Sequence, residues 1–303
     1  MEMLELLSEH PVLFTVVVAL FSLLIGSFLN VVIHRLPIML ERAWRSEAAA
    51  IVSEPPAYDL PDVPRYNLVV PRSCCPTCKA PITALQNIPV ISYLFLRGKC
   101  AQCSTPISAR YPIIELVTAV LSAVVAYKFG LHWQTAAALL MTWCLVALFM
   151  IDLNTQFLPD QMTLPLMWIG LIMSLYAVPG SSFAADPRSS IIGGAVGYLS
   201  LWSVYWVFKL LTGKEGMGHG DFKLLAAFGT WFGGWESILL IVLLSSLAGS
   251  VIGIGLILFR GRDHNIPMPY GPFLAIAGWI AMLWGSQILD VYAAVSHPLA
   301  PHP

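Results

Sequence analysis

Two aspartates and two cysteine pairs are the residues of this sequence whose types and spacing could do chemistry. Asp152 ends a long apolar stretch in Ile151-Asp152-Leu153-Asn154, and Asp221 follows Gly216-Met217-Gly218-His219-Gly220. Ionisable groups at membrane depth are costly, so each is a functional candidate by default. Two carboxyls brought close together cannot both ionise, so one keeps a proton while the other activates water. Peptide hydrolysis needs that pairing: a base for the water, and an acid for the carbonyl oxygen and then the leaving amine. The plainer alternative is a helix cap or an interfacial residue. Asp160, just before Met162, suits that role as an N-cap, whereas the three glycines ahead of Asp221 let a backbone approach closely.

Cys75-Pro-Thr-Cys78 and Cys100-Ala-Gln-Cys103 are C-x-x-C pairs with 21 residues between them. Each such turn offers two thiolates to one ion, and four cysteines suit tetrahedral zinc. A closed four-sulfur shell leaves no position for chemistry, so the expected metal is structural. Two disulfides are the alternative, disfavoured if this segment faces a reducing compartment. Cys74 is a spare neighbour, and Cys144 lies in an apolar stretch where packing explains it.

The elements that must position these groups are membrane helices. Hydrophobic residues make up 57% of the chain and charged ones only 11%, about half the charge of a soluble globule. The net charge of -1 gives no sign of a nucleic-acid partner. Apolar segments at 12–33, 112–129, 133–151, 162–178, 191–211, 222–232, 238–259 and 271–289 predict an all-α polytopic membrane protein with about eight transmembrane helices. The first is read as a retained span, because its start is acidic (Glu2, Glu5, Glu9) and its run is long, unlike a signal peptide. No internal repeat stands out. The expected organisation is a first helix at 1–35, a cysteine domain at 36–111 inserted between helices 1 and 2, and a membrane core at 112–303.

Lysine and arginine set the orientation. With the N-terminus outside, only Lys128 and Arg188 of the 16 basic residues fall on the outer side, a strong positive-inside bias. Both termini are then outside, and the cysteine domain and both aspartates lie at the cytosolic face. The segment 222–232 is too short to cross ~30 Å of hydrocarbon at 1.5 Å per residue. Either it borrows flanking residues, or its inner end lies below the surface in a wet cleft. Helix polarity favours a charged Asp221 at an N-terminus and a protonated Asp152 at a C-terminus, so Asp152 is expected to hold the shared proton.

These segments resemble the type IV prepilin peptidases, the leader peptidase/N-methyltransferases. The resemblance runs through Gly26-Ser-Phe-Leu-Asn30-Val-Val-Ile-His-Arg35-Leu-Pro37, both cysteine pairs, and Ile107-Ser-Ala-Arg110-Tyr-Pro112-Ile-Ile-Glu115. It continues through Ile151-Asp152 to Leu158-Pro-Asp160, then Gly216-Met-Gly-His-Gly-Asp221-Phe-Lys223 and Pro269-Tyr-Gly-Pro272-Phe. The inserted stretch 39–70 looks like that of Gram-negative members. The resemblance implies a bacterial inner-membrane enzyme that removes the basic leader from type IV prepilins and type II secretion pseudopilins. It would then methylate the new N-terminus with S-adenosylmethionine. It places the catalytic pair on Asp152 and Asp221, and zinc on Cys75, Cys78, Cys100 and Cys103. Relatives often carry an acid where this chain has Gln86, a departure expected to weaken methylation rather than cleavage. No Rossmann fingerprint supports the methyltransferase half. Gly26, Asn30 and Arg35 are read as close packing, a capping amide and an interfacial anchor. A peptidase that cleaves without methylating is one rival. An ion-coupled transporter is the other, and it gives no reason for the cysteine pairs.

Overall fold

The computed structural model describes residues 2–51, 65–176, 185–260 and 268–296. Among these, helices dominate and no strand forms beyond two isolated bridges. The helices are α1 (Glu2–Glu9), α2 (Pro11–Ile51), α3 (Ile91–Phe95), α4 (Arg110–Phe129), α5 (Trp133–Thr155), α6 (Asp160–Ser174), α7 (Pro187–Thr212), α8 (His219–Phe232), α9 (Trp235–Arg260) and α10 (Gly271–Ser296), with a 3₁₀ turn at Leu85–Asn87.

Six of them, α2, α4, α5, α7, α9 and α10, are long and apolar enough to cross a membrane. The segments expected at 162–178 and 222–232 become α6 and α8, of 15 and 14 residues among the described ones, with positions 177 and 178 lying outside them. Neither reaches the length of a full span. The first helix overruns its apolar run and continues to Ile51. Its second half, rich in Leu, Glu, Arg and Ala, has high helix propensity, so the polar segment begins as helix rather than loop.

The chain divides into two compact units, Met1–Ala147 and Leu148–Pro303. In the first, α2 packs on α4. In the second, α8 is enclosed by α6, α7, α9 and α10. Phe222, Leu224, Leu225, Phe228 and Trp231 are fully buried along it, as expected of a helix apolar on all sides. Trp231 Nε1 donates to the Leu166 carbonyl at 2.8 Å, and Thr230 Oγ1 to that of Met167 at 3.1 Å, tying α8 to α6. Against α7 the backbones meet at Gly193 and Gly229, where a Cβ on either residue would strike the other's backbone. Small residues at such a crossing let two membrane helices reach van der Waals contact along their main chains.

Candidate active site

Both aspartates belong to the second unit. Asp152 lies in the last turn of α5, which ends at Thr155; the next residue, Gln156, has a positive φ of 53° and its amide bonds the Asp152 carbonyl (2.8 Å), closing the helix. Asp221 lies in the first turn of α8, after Gly218 in extended conformation, and its amide bonds the Gly218 carbonyl at 3.2 Å. The carboxyls are 5% and 6% exposed, and the charge of Asp152 acts on Asp221. Asp152 Oδ2 and Asp221 Oδ1 are buried and make no hydrogen bond with the protein. Oxygens left so are expensive, and in a pair of acids such atoms are open to a shared proton or a water.

A third helix end completes the arrangement. The Gly271 amide, at the start of α10, faces the Asp152 carboxyl, and a Cβ on Gly271 would lie 2.6 Å from Asp152 Oδ2. Buried Leu158 fills the space between Gly271 and Gly220. Tyr270 is pinned by its hydroxyl, 2.6 Å from Ser245 Oγ on α9. The motif Pro269-Tyr-Gly-Pro272 carried the family resemblance, but no sequence pattern placed it against an aspartate 119 positions earlier. Its position also offsets the expected proton assignment, because the N-terminus of α10 favours charge on Asp152 as that of α8 does on Asp221.

Asp160 is not an N-cap. It is the first residue of α6, capped by Pro159, and both its oxygens lie 2.7 Å from Lys223 Nζ. A cation two residues from Asp221 is thereby engaged by a half-exposed acid, and the pair links the starts of α6 and α8. The glycine-rich approach to α8 is held from α7, where Lys209 bonds Glu215 at 2.8 Å and Tyr205 at 3.1 Å. The His219 ring packs against Tyr205 and Phe222.

In the first unit, the Sγ atoms of Cys75, Cys78, Cys100 and Cys103 all lie within 4.8 Å of one another. The cross-knuckle separations are 3.7 Å for Cys75–Cys103 and 4.0 Å for Cys78–Cys100. Zinc–sulfur bonds of about 2.3 Å place tetrahedral sulfurs about 3.8 Å apart, so the donor set suits zinc. All four are free thiols. Cys103 is drawn down to about 6, first by the Thr105 hydroxyl, and Cys75 is lowered by the amides of Cys78 and Thr77. The Ala80 amide favours the Cys78 thiolate, but burial and the neighbouring sulfurs push that thiol up to about 11.

The two knuckles are also an internal repeat that the sequence reading missed. Cys75-Pro-Thr-Cys-Lys-Ala-Pro-Ile and Cys100-Ala-Gln-Cys-Ser-Thr-Pro-Ile share cysteines, proline and isoleucine in register. Each closes through a positive φ, 60° at Lys79 and 56° at Ser104, and each carries one of the isolated bridges. Gln86 forms a reciprocal cap with Thr83, its Oε1 accepting from the Thr83 amide at 3.1 Å while its own amide bonds Thr83 Oγ1 at 3.4 Å. A carboxylate would accept that bond equally well. Gly26 packs closely on the Glu115 backbone, Asn30 bonds the Tyr111 carbonyl, and Arg35 holds the carbonyls of Asn67 and Pro71. Arg35 therefore anchors a loop.

Comparison with known proteins decides the family. The bacterial peptidase A24 N-terminal domain matches residues 20–129, and the type IV leader peptidase family matches 139–254. The chain is 57% identical over 290 residues to a prepilin leader peptidase/N-methyltransferase of Aeromonas hydrophila, covering 96% of this chain and 97% of that one. It is 56% identical over 293 residues to one from Aeromonas salmonicida, covering 96% and 97%. It is 50% identical over 292 residues to one from Pseudomonas aeruginosa, covering 96% and 98%. The chain belongs to the type IV leader peptidase family. No solved structure matches it. In this leader peptidase family member both matched regions contain the groups described above: the cysteine cluster in the first, and Asp152 and Asp221 in the second.

Proposed function

We propose that this family member cleaves the leader from type IV prepilins and type II secretion pseudopilins, with Asp152 and Asp221 as the catalytic pair, and then N-methylates the new terminus. The observation that carries the reading is the burial of two interacting carboxyls at three converging helix ends, in a chain 50–57% identical to prepilin leader peptidase/N-methyltransferases. One carboxylate takes a proton from water as its oxygen bonds the scissile carbonyl carbon. The protonated partner donates to the carbonyl oxygen. Collapse of the tetrahedral species breaks the C–N bond, and the amine leaves with a proton returned by the pair. S-adenosylmethionine supplies the methyl group.

The deciding assay incubates purified protein with a prepilin peptide and methyl-labelled S-adenosylmethionine. Cleavage followed by label on the new N-terminus is expected, and cleavage without label would leave a peptidase alone. The Thr83–Gln86 cap bears on the same assay. Because Gln86 already supplies the acceptor that its cap requires, the Gln86→Glu variant is expected to keep the cap, and any gain in methylation would be a charge effect.

The four cysteines hold one structural zinc, which clamps the segment between the knuckles. Metal analysis is expected to give one zinc per chain and its loss in Cys78→Ser. Binding requires deprotonated thiols, so affinity falls as the pH drops. Release on acidification is read by a chromogenic chelator.

The basic-residue bias supports an inner-membrane protein with both termini periplasmic and the site cytosolic. At 14 residues α8 spans about 21 Å, less than the ~30 Å of hydrocarbon. A recessed, water-filled approach to Asp221 follows. Gly218 and His219 are exposed while Asp221 is buried. A Cβ on Gly218 makes only ordinary contact, at 3.7 Å from Asp221 Oδ2. Gly218→Cys is therefore expected to react with a membrane-impermeant maleimide from the cytosolic side. Full protection would remove the wet cleft.

A further inference from the structure

Between the knuckles, the short segment around α3 turns its apolar side chains outward. Leu85, Leu94 and Phe95 are 77%, 68% and 84% exposed, and Ile82, Ile88 and Ile91 are exposed beside them. A domain clamped by four cysteines could fold such residues inward, yet it presents six within 14 positions. Patches of this kind mark surfaces that are covered in use.

The tethers of this segment say what covers it. The Val90 amide donates to Glu115 Oε2 at 2.8 Å, Tyr93 Oη bonds the Ile107 carbonyl at 3.4 Å, and the Ile107 amide bonds the Gly98 carbonyl at 2.7 Å. All three fix α3 to the entry of α4. That helix has 20 residues, so at 1.5 Å each it is about 30 Å long, the thickness of the hydrocarbon. Its first residue, Arg110, then marks the membrane edge. Glu115 is five residues further, about 7.5 Å along the axis, with its side chain leaning back toward the N-terminus. An amide bonded to that carboxyl lies at the membrane boundary. Exposed basic residues border the segment at Lys79, Arg97 and Lys99, as on surfaces that meet anionic headgroups.

We propose that residues 82–95 lie in the membrane interface, with Leu85, Leu94 and Phe95 among the acyl chains of an anionic phospholipid bilayer. The cysteine cluster is then a clamp that holds a membrane-dipping loop, and both ends of the loop are pinned by one metal. The Val90 backbone, with its positive φ of 59°, turns the chain at the point where Glu115 holds it.

The test uses the unmodified full-length protein in vesicles of phosphatidylethanolamine and phosphatidylglycerol, with a trace of phospholipid carrying a diazirine midway along one acyl chain. After illumination, digestion and mass spectrometry, adducts are expected on residues 82–95 as well as on the spanning helices, and not on the second knuckle at 99–106. An unlabelled 82–95 segment, or equal labelling of 99–106, overturns the proposal. So does labelling at 82–95 that disappears when the protein is diluted into excess vesicles, which would mean that a second copy had carried the lipid there. Leu94→Glu/Phe95→Glu, which replaces two exposed apolar side chains with charged ones, is expected to lower labelling of the segment about tenfold or more. Zinc content of that variant reports separately on whether the clamp has formed. Unchanged labelling in a zinc-loaded variant also overturns the proposal.

Discussion

Asp152→Asn and Asp221→Asn each reduce prepilin cleavage by roughly 10³-fold or more, the loss expected when a general acid or base is removed. Both substitutions preserve size, and an amide can occupy the same buried position. Neither replaces a group that holds the fold: Asp152 Oδ2 and Asp221 Oδ1 make no hydrogen bond with the protein, and the ion pair nearby is made by Asp160 and Lys223. Each variant is therefore expected to insert and purify as the parent does, with the parent's metal content, and to fail in chemistry alone. The check is a peptide-cleavage time course beside size-exclusion chromatography and metal analysis. Near-parental cleavage by either variant removes that residue from the pair. Asp160→Asn serves as the contrast. It weakens a half-exposed ion pair of the class worth up to about 1 kcal/mol, so its effect on cleavage is several-fold rather than thousandfold.

The second large effect is expected at a residue with no side chain. Gly271→Ala places a Cβ 2.6 Å from Asp152 Oδ2 and 3.1 Å from Leu158 Cδ1. The carboxyl must move, because α10 is tied to α9 through Tyr270 and Ser245 and cannot withdraw freely. A displacement near 1 Å of a reacting group costs about 10²-fold in rate. The expected result is a fall in kcat of about that size with KM changed far less, since Gly271 faces the acid rather than the length of the substrate. A KM effect without a kcat effect would instead place Gly271 in substrate binding. Gly255 has open space around it, so Gly255→Ala controls for loss of a helix glycine and leaves both constants unchanged.

Much of this site was legible because its chemistry is written in rare residues. Acids at the ends of apolar runs and cysteines in pairs stand out against a chain that is 57% hydrophobic. Helix existence was equally clear, since apolar runs leave few alternatives in a bilayer. What escaped was information carried by ordinary residues through space. Gly271 and Leu158 look like punctuation and packing until α10 is seen to begin at Asp152. Asp160 reads as a cap from its neighbours in sequence, yet its partner is Lys223, 63 residues away. The length of α2 was missed because hydropathy marks where lipid ends, not where backbone hydrogen bonding ends. The short repeat in the knuckles was hidden because only half of its positions are identical, and its period is visible chiefly in the backbone turns at Lys79 and Ser104.

The enclosure of α8 has a consequence for biogenesis. A segment of 14 residues with Asp221 and Lys223 in its first turns has little tendency to leave the translocon for lipid unaided, since charged residues oppose partitioning. It has almost no surface to offer lipid, being covered by α6 and α7, made before it, and by α9 and α10, made after it. Its insertion is thus a templated step, driven by helices already in the bilayer and completed by those still to emerge. Asp221 reaches its depth, and meets Asp152 beside the first turn of α10, only when the last of those helices has arrived.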